Sequence, residues 1–119
     1  MKSCLATIAL LVFLASCSSM EPRPPLIQGL TGSRVSADFD QRIQSRFPVG
    51  SSAQVLAAEL KDEGFSLSSS SVDSEGRDVQ AVGRLEYLDF PCEDDWIVSW
   101  HATAGNITEV HGEFGMTCP

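Results

Sequence analysis

The sequence predicts a small α+β domain, with two N-terminal helices packed on one face of a three- or four-stranded antiparallel meander and a C-terminal hairpin closed by a disulfide. Three observations carry this expectation. Residues 37–60 hold two runs of helical apolar spacing, separated at Pro48-Val49-Gly50. From Phe65 onward the apolar residues alternate instead. Of the four cysteines, two fall where one hairpin register sets them opposite each other.

The first helix is predicted over residues 37–47. Ser36 is its expected cap, Asp38 and Asp40 suit its first turn, and Pro48 ends it. Val35, Phe39, Ile43 and Phe47 recur every four residues as one narrow stripe, leaving Arg42 and Arg46 to solvent. The second helix opens on Ser51-Ser52-Ala53-Gln54, which reads as a capping box with Ser51 accepting from the Gln54 amide. Ala53, Leu56, Ala57 and Leu60 form its apolar face. Gly64 fits the left-handed position after the last turn, and Phe65 falls where a Schellman motif packs its hydrophobe on Leu60.

A first strand is predicted over 65–69, a polar turn over 73–76, and a second strand over 79–90. In the second strand Arg84 and Glu86 share a face with Val82 and Leu88, which reads as an edge or a bulged strand, and Phe90-Pro91 breaks the ladder. The last hairpin has two competing registers. A two-residue Gly105-Asn106 turn would set Trp100 against His111 and mix the faces. A three-residue Ala104-Gly105-Asn106 loop pairs Trp96 with Phe114, Val98 with Gly112 and Trp100 with Val110, an all-apolar face, so this register is expected. It also sets Cys92 opposite Cys118, at a β-carbon spacing of about 4.5–5.5 Å that is close to what a disulfide needs. A metal site or a reactive thiol is the alternative, and no Cys-x-x-Cys or Cys-His spacing supports either.

The 119 residues carry a formal charge of −8, which gives no footprint for nucleic acid and no polybasic patch for anionic lipid. Acidity suits a basic partner without specifying one. At the N-terminus, Lys2 precedes an apolar run over residues 6–14 that is too short to span a bilayer, and Leu14-Ala15-Ser16-Cys17 follows. This segment resembles the lipobox of bacterial lipoproteins. The resemblance implies lipid on the Cys17 thiol, cleavage before Cys17 and acylation of its new amine; an ordinary signal peptide with an accidental thiol is the alternative. The expected organisation is then a leader over 1–16, a lipidated cysteine and Pro/Ser-rich tether over 17–35, and the domain over 36–119. Ser18, in place of an aspartate, points by the same resemblance to the outer membrane, with the domain facing the periplasm. Cys4 leaves with the leader, so Cys92 and Cys118 remain as an even pair in an oxidising compartment.

The tether contains three prolines and two glycines between residues 18 and 33, which favour extended chain over helix. Leu26, Ile27 and Leu30 offer an alternative, docking on the domain or on a partner.

Candidate chemistry is sparse. His101, His111, Glu109 and Glu113 share the polar face of the hairpin and form a weak candidate zinc set, against cross-strand ion pairing or plain solvation. Glu93-Asp94-Asp95 lacks calcium-loop spacing and reads as a solvated charge run. The serines at 68–71 have no nucleophile elbow, and no phosphate loop is present. Trp96 and Trp100 read as core, with a binding platform as the alternative. No catalytic residue, cofactor or small-molecule substrate is indicated.

Gly50-Ser51-Ser52 with Val55 and Leu60, the Trp-rich hairpin and the lipobox together resemble small outer-membrane lipoproteins of the SmpA/OmlA (BamE-like) type. That family carries Leu-Gly-x-Pro after the helix, whereas here Leu60 is followed by Lys-Asp-Glu-Gly-Phe, and a terminal disulfide is added. The resemblance implies the helix–helix–meander layout and a role in envelope assembly or maintenance, and it carries no site residue beyond Cys17. The expected function is a non-enzymatic outer-membrane lipoprotein working through protein–protein contacts. The runner-up is a periplasmic inhibitor of a secreted hydrolase such as lysozyme.

Overall fold

A computed structural model describes residues 23–72 and 79–119, with the side chains of all of these except 69–72. The leader, Cys17, the tether up to residue 22 and the expected turn at 73–76 lie outside the described residues. Two helices, α1 (Val35–Arg46) and α2 (Ala53–Asp62), precede four strands, β1 (Ser66–Val72), β2 (Val79–Asp89), β3 (Cys92–Thr103) and β4 (Asn106–Thr117). The strands pair antiparallel in chain order, a four-stranded meander with β1 and β4 at its edges.

Gly83, Val98 and Gly112 are cross-strand neighbours in the middle of the buried face. A Cβ on Gly83 would stand 3.0 Å from Leu60 Cδ1, and one on Gly112 would stand 3.0 Å from both Ile43 Cγ1 and Phe39 Cδ1. The two helices therefore reach the same face, α1 over β4 and α2 over β2, and each comes too close to leave room for a side chain beneath it. Phe39 meets the Trp96 ring edge-on at 5.0 Å, and Trp96 lies 4.5 Å from Phe114.

Both helix starts differ from expectation. Arg34, not Ser36, precedes α1 and makes no side-chain cap bond; Ser36 lies within the first turn, and its hydroxyl accepts from the Phe114 N–H of β4 at 3.2 Å. For α2 the cap is Ser52, which accepts from the Val55 N–H at 3.3 Å; Ser51 donates its hydroxyl to the Pro48 carbonyl, so no capping box forms. The end of α2 follows its signals. Gly64 has φ +97°, the Phe65 N–H donates to the Leu60 carbonyl at 2.9 Å, and the Gly64 N–H donates to the Lys61 carbonyl at 3.1 Å, the pair of bonds that defines a Schellman motif.

β2 is an interior strand rather than an edge, and its pairing with β3 is unbroken from Val79↔Ala102 to Asp89↔Cys92. Its mixed face is simply the one turned away from the helices. The irregularity lies on the other side, where β1 shifts register between Ser69 and Ser71. Phe90 and Pro91, joined by a cis peptide, make a two-residue turn, and the acidic triplet is already inside β3. In the last hairpin Trp96, Val98 and Trp100 pair with Phe114, Gly112 and Val110. The loop, however, is the two-residue Ala104-Gly105, both at positive φ, followed by a register shift that leaves Thr108 unpaired. A primed turn matches strand twist, and the bulge restores the apolar register that a longer loop was expected to supply. Cys92 and Cys118 are bonded, their Cα atoms 4.3 Å apart.

The segment before α1 is folded onto the domain, as the docking alternative allowed. Leu26, Ile27 and Leu30 are buried in the core, with Ile27 fully enclosed. Arg42, expected in solvent, donates to the carbonyls of Pro25, Leu26 and Gln28, the last at 2.7 Å, while Glu63 accepts from the Leu26 N–H at 2.8 Å. Arg46 is not free either, since its Nε lies 2.9 Å from Glu59 of α2. Among the described residues no helix is long and apolar enough to cross a membrane.

Candidate functional site

The strand pairing collects ionisable groups into two places. On the open face, Glu86 pairs with Asp95, Ile97 with Glu113, and His101 with Glu109, while Glu93, Arg84 and His111 lie on the same side. Five carboxylates there face one arginine and two histidines. The His111 ring is engaged with carboxylates on both sides: Nε2 is 2.9 Å from Glu109 and Nδ1 is 3.7 Å from Asp40 of α1. The Glu109 hydrogen bond pushes the imidazole above its ordinary pKa; desolvation opposes this, and the Asp40 charge adds to the rise. His101 is set across from Glu109 by register and does not join His111 in a ligand group. Among the described residues no cluster of three or more His, Cys, Asp or Glu is arranged to hold a metal. Of the four candidate residues, His111 and Glu109 pair with each other, and His111 also reaches Asp40, which links β4 to α1.

The second place is the buried face at the β2–β3 turn. Asp94, read from sequence as part of a solvated run, is buried because it follows the alternation of Trp96 and Val98 back by one step. Arg23 Nη2 lies 3.8 Å from Asp94 and 3.5 Å from Asp89, with the guanidinium 5.5 Å over the Tyr87 ring. Desolvation, and then the Asp89 charge, push the Asp94 carboxyl up, and Arg23 opposes them. Asp95 points to the other face, within 3.9 Å of Arg84 Nε. Beside Asp94 lies a cavity of about 220 Å³, bounded by Arg23, Trp96, Phe114 and Met116.

A larger groove, about 440 Å³, opens between α2 and the upper half of the sheet. Ala53 and Ala57 line one side, and Leu67, Val79, Ala81 and Trp100 the other, with Gln54 and Ser68 as its polar groups. Small residues on the inner face of α2 keep this space open where larger ones would fill it. The lining suits an apolar group held by one or two hydrogen bonds, and among the described residues it places no base or oxyanion cradle beside the Ser68 hydroxyl. Both tryptophans are buried rather than displayed.

Sequence reading did not identify Arg23, Ser36, Asp40 or Arg42 as holding groups. Ser36 and Asp40 stand one helical turn apart beside Phe39, which signals a shared surface but not that the surface meets a strand edge. No family model, no curated protein and no solved structure matches this chain.

Proposed function

We propose that the chain is an envelope lipoprotein, cleaved before Cys17 and held by its lipid in the outer membrane with the domain facing the periplasm. On this reading it works through protein–protein contacts, in envelope assembly or maintenance, and not by catalysis. Leu14-Ala15-Ser16-Cys17 at the end of a short apolar run is the observation that carries the proposal. The Cys92–Cys118 bond supports it, since such bonds persist in oxidising compartments. The likeness to the SmpA/OmlA type belongs to the same proposal, through the order of two helices and an antiparallel meander.

Intact-mass measurement of the full-length product from its native envelope tests the address. The expected species begins at residue 17 and carries diacylglyceryl and acyl additions, and Cys17→Ser stays uncleaved. An unacylated Cys17, or a retained leader, defeats the reading. Membrane crosslinking and identification of the captured proteins then tests the role, with envelope assembly proteins as the expected catch.

The acidic open face supports a second reading, inhibition of a cationic secreted hydrolase. If the protein blocks lysozyme at low micromolar concentration, with the block weakening as salt rises, this reading replaces the first.

A further inference from the structure

We propose that the β2–β3 turn, with Leu88 and Phe90 at its surface and Met116 of β4 beside it, rests in the headgroup layer of the bilayer that carries the Cys17 lipid. This inference rests on the lipoprotein reading above and deepens it. Phe90 is 88% exposed in the turn; Leu88, 75% exposed, pairs with Glu93 on the open face, and Met116, 59% exposed, pairs with Asp94 on the helix side, so this end of the sheet is apolar on both faces. The turn is short and fixed: Asp89 pairs with Cys92 across it, and Cys92 is bonded to Cys118 at the end of β4. A rigid apolar tip of this kind costs little entropy to seat in an interface, and aromatic side chains suit that layer.

The point where the chain enters the domain selects a lipid surface as the occupant. Arg23 is held against Asp89 and Asp94 at this same end. Only six residues lead from Cys17 to Arg23, which limits their separation to about 20 Å. A domain tied so closely by its turn end presents that end to the bilayer. The opposite end, where Gly50 bonds the Ile107 carbonyl, carries Val49 at 69% exposure and is held away. Charge then decides which lipid. Glu93 is exposed beside the tip, Arg23 is committed to Asp89 and Asp94, and no lysine or further arginine accompanies Leu88 and Phe90 in the turn. The contact is therefore apolar and forms with zwitterionic lipid, without help from anionic headgroups.

The test places a tryptophan at the tip of the full acylated chain, Phe90→Trp, in phosphatidylcholine vesicles whose acyl chains carry bromine near the headgroup. Val49→Trp serves as the far-end control, and wild type supplies the background of Trp96 and Trp100. The added Phe90→Trp emission is expected to fall about twofold, in keeping with a depth of about 5–10 Å, and the Val49→Trp emission to stay constant. Equal emission of Phe90→Trp with and without bromine overturns the proposal. Quenching that appears only with anionic lipid overturns its apolar basis. A Phe90→Trp signal shielded from aqueous iodide yet untouched by bromolipid assigns the tip to a second copy of the chain instead. Mass analysis of the same sample separates the two readings: an unacylated Cys17 removes both, whereas an acylated chain with a dry tip removes this one alone.

Discussion

The two edges of the sheet are managed in opposite ways. At β4, the outward N–H of Gly112 donates to Asp40 at 2.9 Å and that of Phe114 to Ser36, while Ile107 exchanges hydrogen bonds with Gly50 and Ser51. A disulfide fixes its C-terminal end to β3. At β1 the chain runs Ser-Leu-Ser-Ser-Ser-Ser-Val with a register shift, and no described residue pairs with its outer side. An open strand edge is a template for another strand. One edge is thus closed by helix side chains and loop backbone, and the other is interrupted only by a register shift. α1 therefore covers the β4 edge with Ser36 and Asp40 while it supplies Phe39 and Ile43 to the core.

Removing the staple is expected to have the largest effect on this asymmetry. Reduction, or Cys92→Ser with Cys118→Ser, frees a loop of 26 residues and should lower stability by about 3–4 kcal/mol, read as a shift of the urea midpoint. A midpoint unchanged by reductant would show that α1 alone holds β4 in place. Next in size is Gly112→Ala. Its new methyl would meet a stiff Phe39 ring and Ile43, and it should cost about 1–3 kcal/mol by lifting α1 from the edge. Gly83→Ala meets instead the ends of Leu60 and of half-exposed Leu67, which can yield, so its cost is expected to be smaller. Equal costs in urea unfolding would break the comparison.

Local signals made much of this fold legible. The Schellman end of α2 is written in Leu60, Gly64 and Phe65 within six residues of sequence, and the apolar register of the last hairpin in Trp96, Val98, Trp100, Val110 and Phe114. What stayed hidden depends on partners far along the chain. Ser36 looks like a cap because capping residues and edge-covering residues are the same types, and its true partner, Phe114, lies 78 positions away. Arg42 looks solvated because nothing local shows that the carbonyls of 25–28 will fold over it. Asp94 is the instructive case: its alternation with Trp96 predicts burial, yet two acidic neighbours and its charge argue against it, and Arg23 in the presumed tether supplies the counter-charge.

The side-chain bonds at the β4 edge give a finer test. Asp40→Ala removes an acceptor from the Gly112 N–H, and Ser36→Ala one from the Phe114 N–H; each should cost about 1 kcal/mol. Amide exchange gives the sharper readout. Gly112 and Phe114 are expected to exchange slowly in the wild type and to speed up selectively in the matching variant. If both amides stay protected in the double variant, the edge is shielded by α1 backbone and core packing alone, and the side chains are incidental.

The smallest expected effect is a pH dependence centred on the same edge. His111 is raised by Glu109 and Asp40, so the folded state holds its proton more tightly than the unfolded chain does. Its contribution is therefore fully present below the unfolded value, about 6.5, and is lost as pH rises through the raised folded value. Asp94 and Glu63 are raised by burial and follow the same sign in a lower window, stabilising below the ordinary carboxylate range and losing that as they ionise. Melting temperature should fall with rising pH in both windows. His111→Gln flattens the upper one, and Asp94→Asn lessens the lower, to which Glu63 still contributes. The upper step is worth a few tenths of a kcal/mol at most, because half of the His111 side chain is in water. It nevertheless bears on the edge, since Asp40, the lesser of the two carboxylates that stabilise His111, also accepts from the Gly112 N–H. If His111→Gln and wild type run parallel from pH of about 6 to 8, Asp40 serves the strand amide alone.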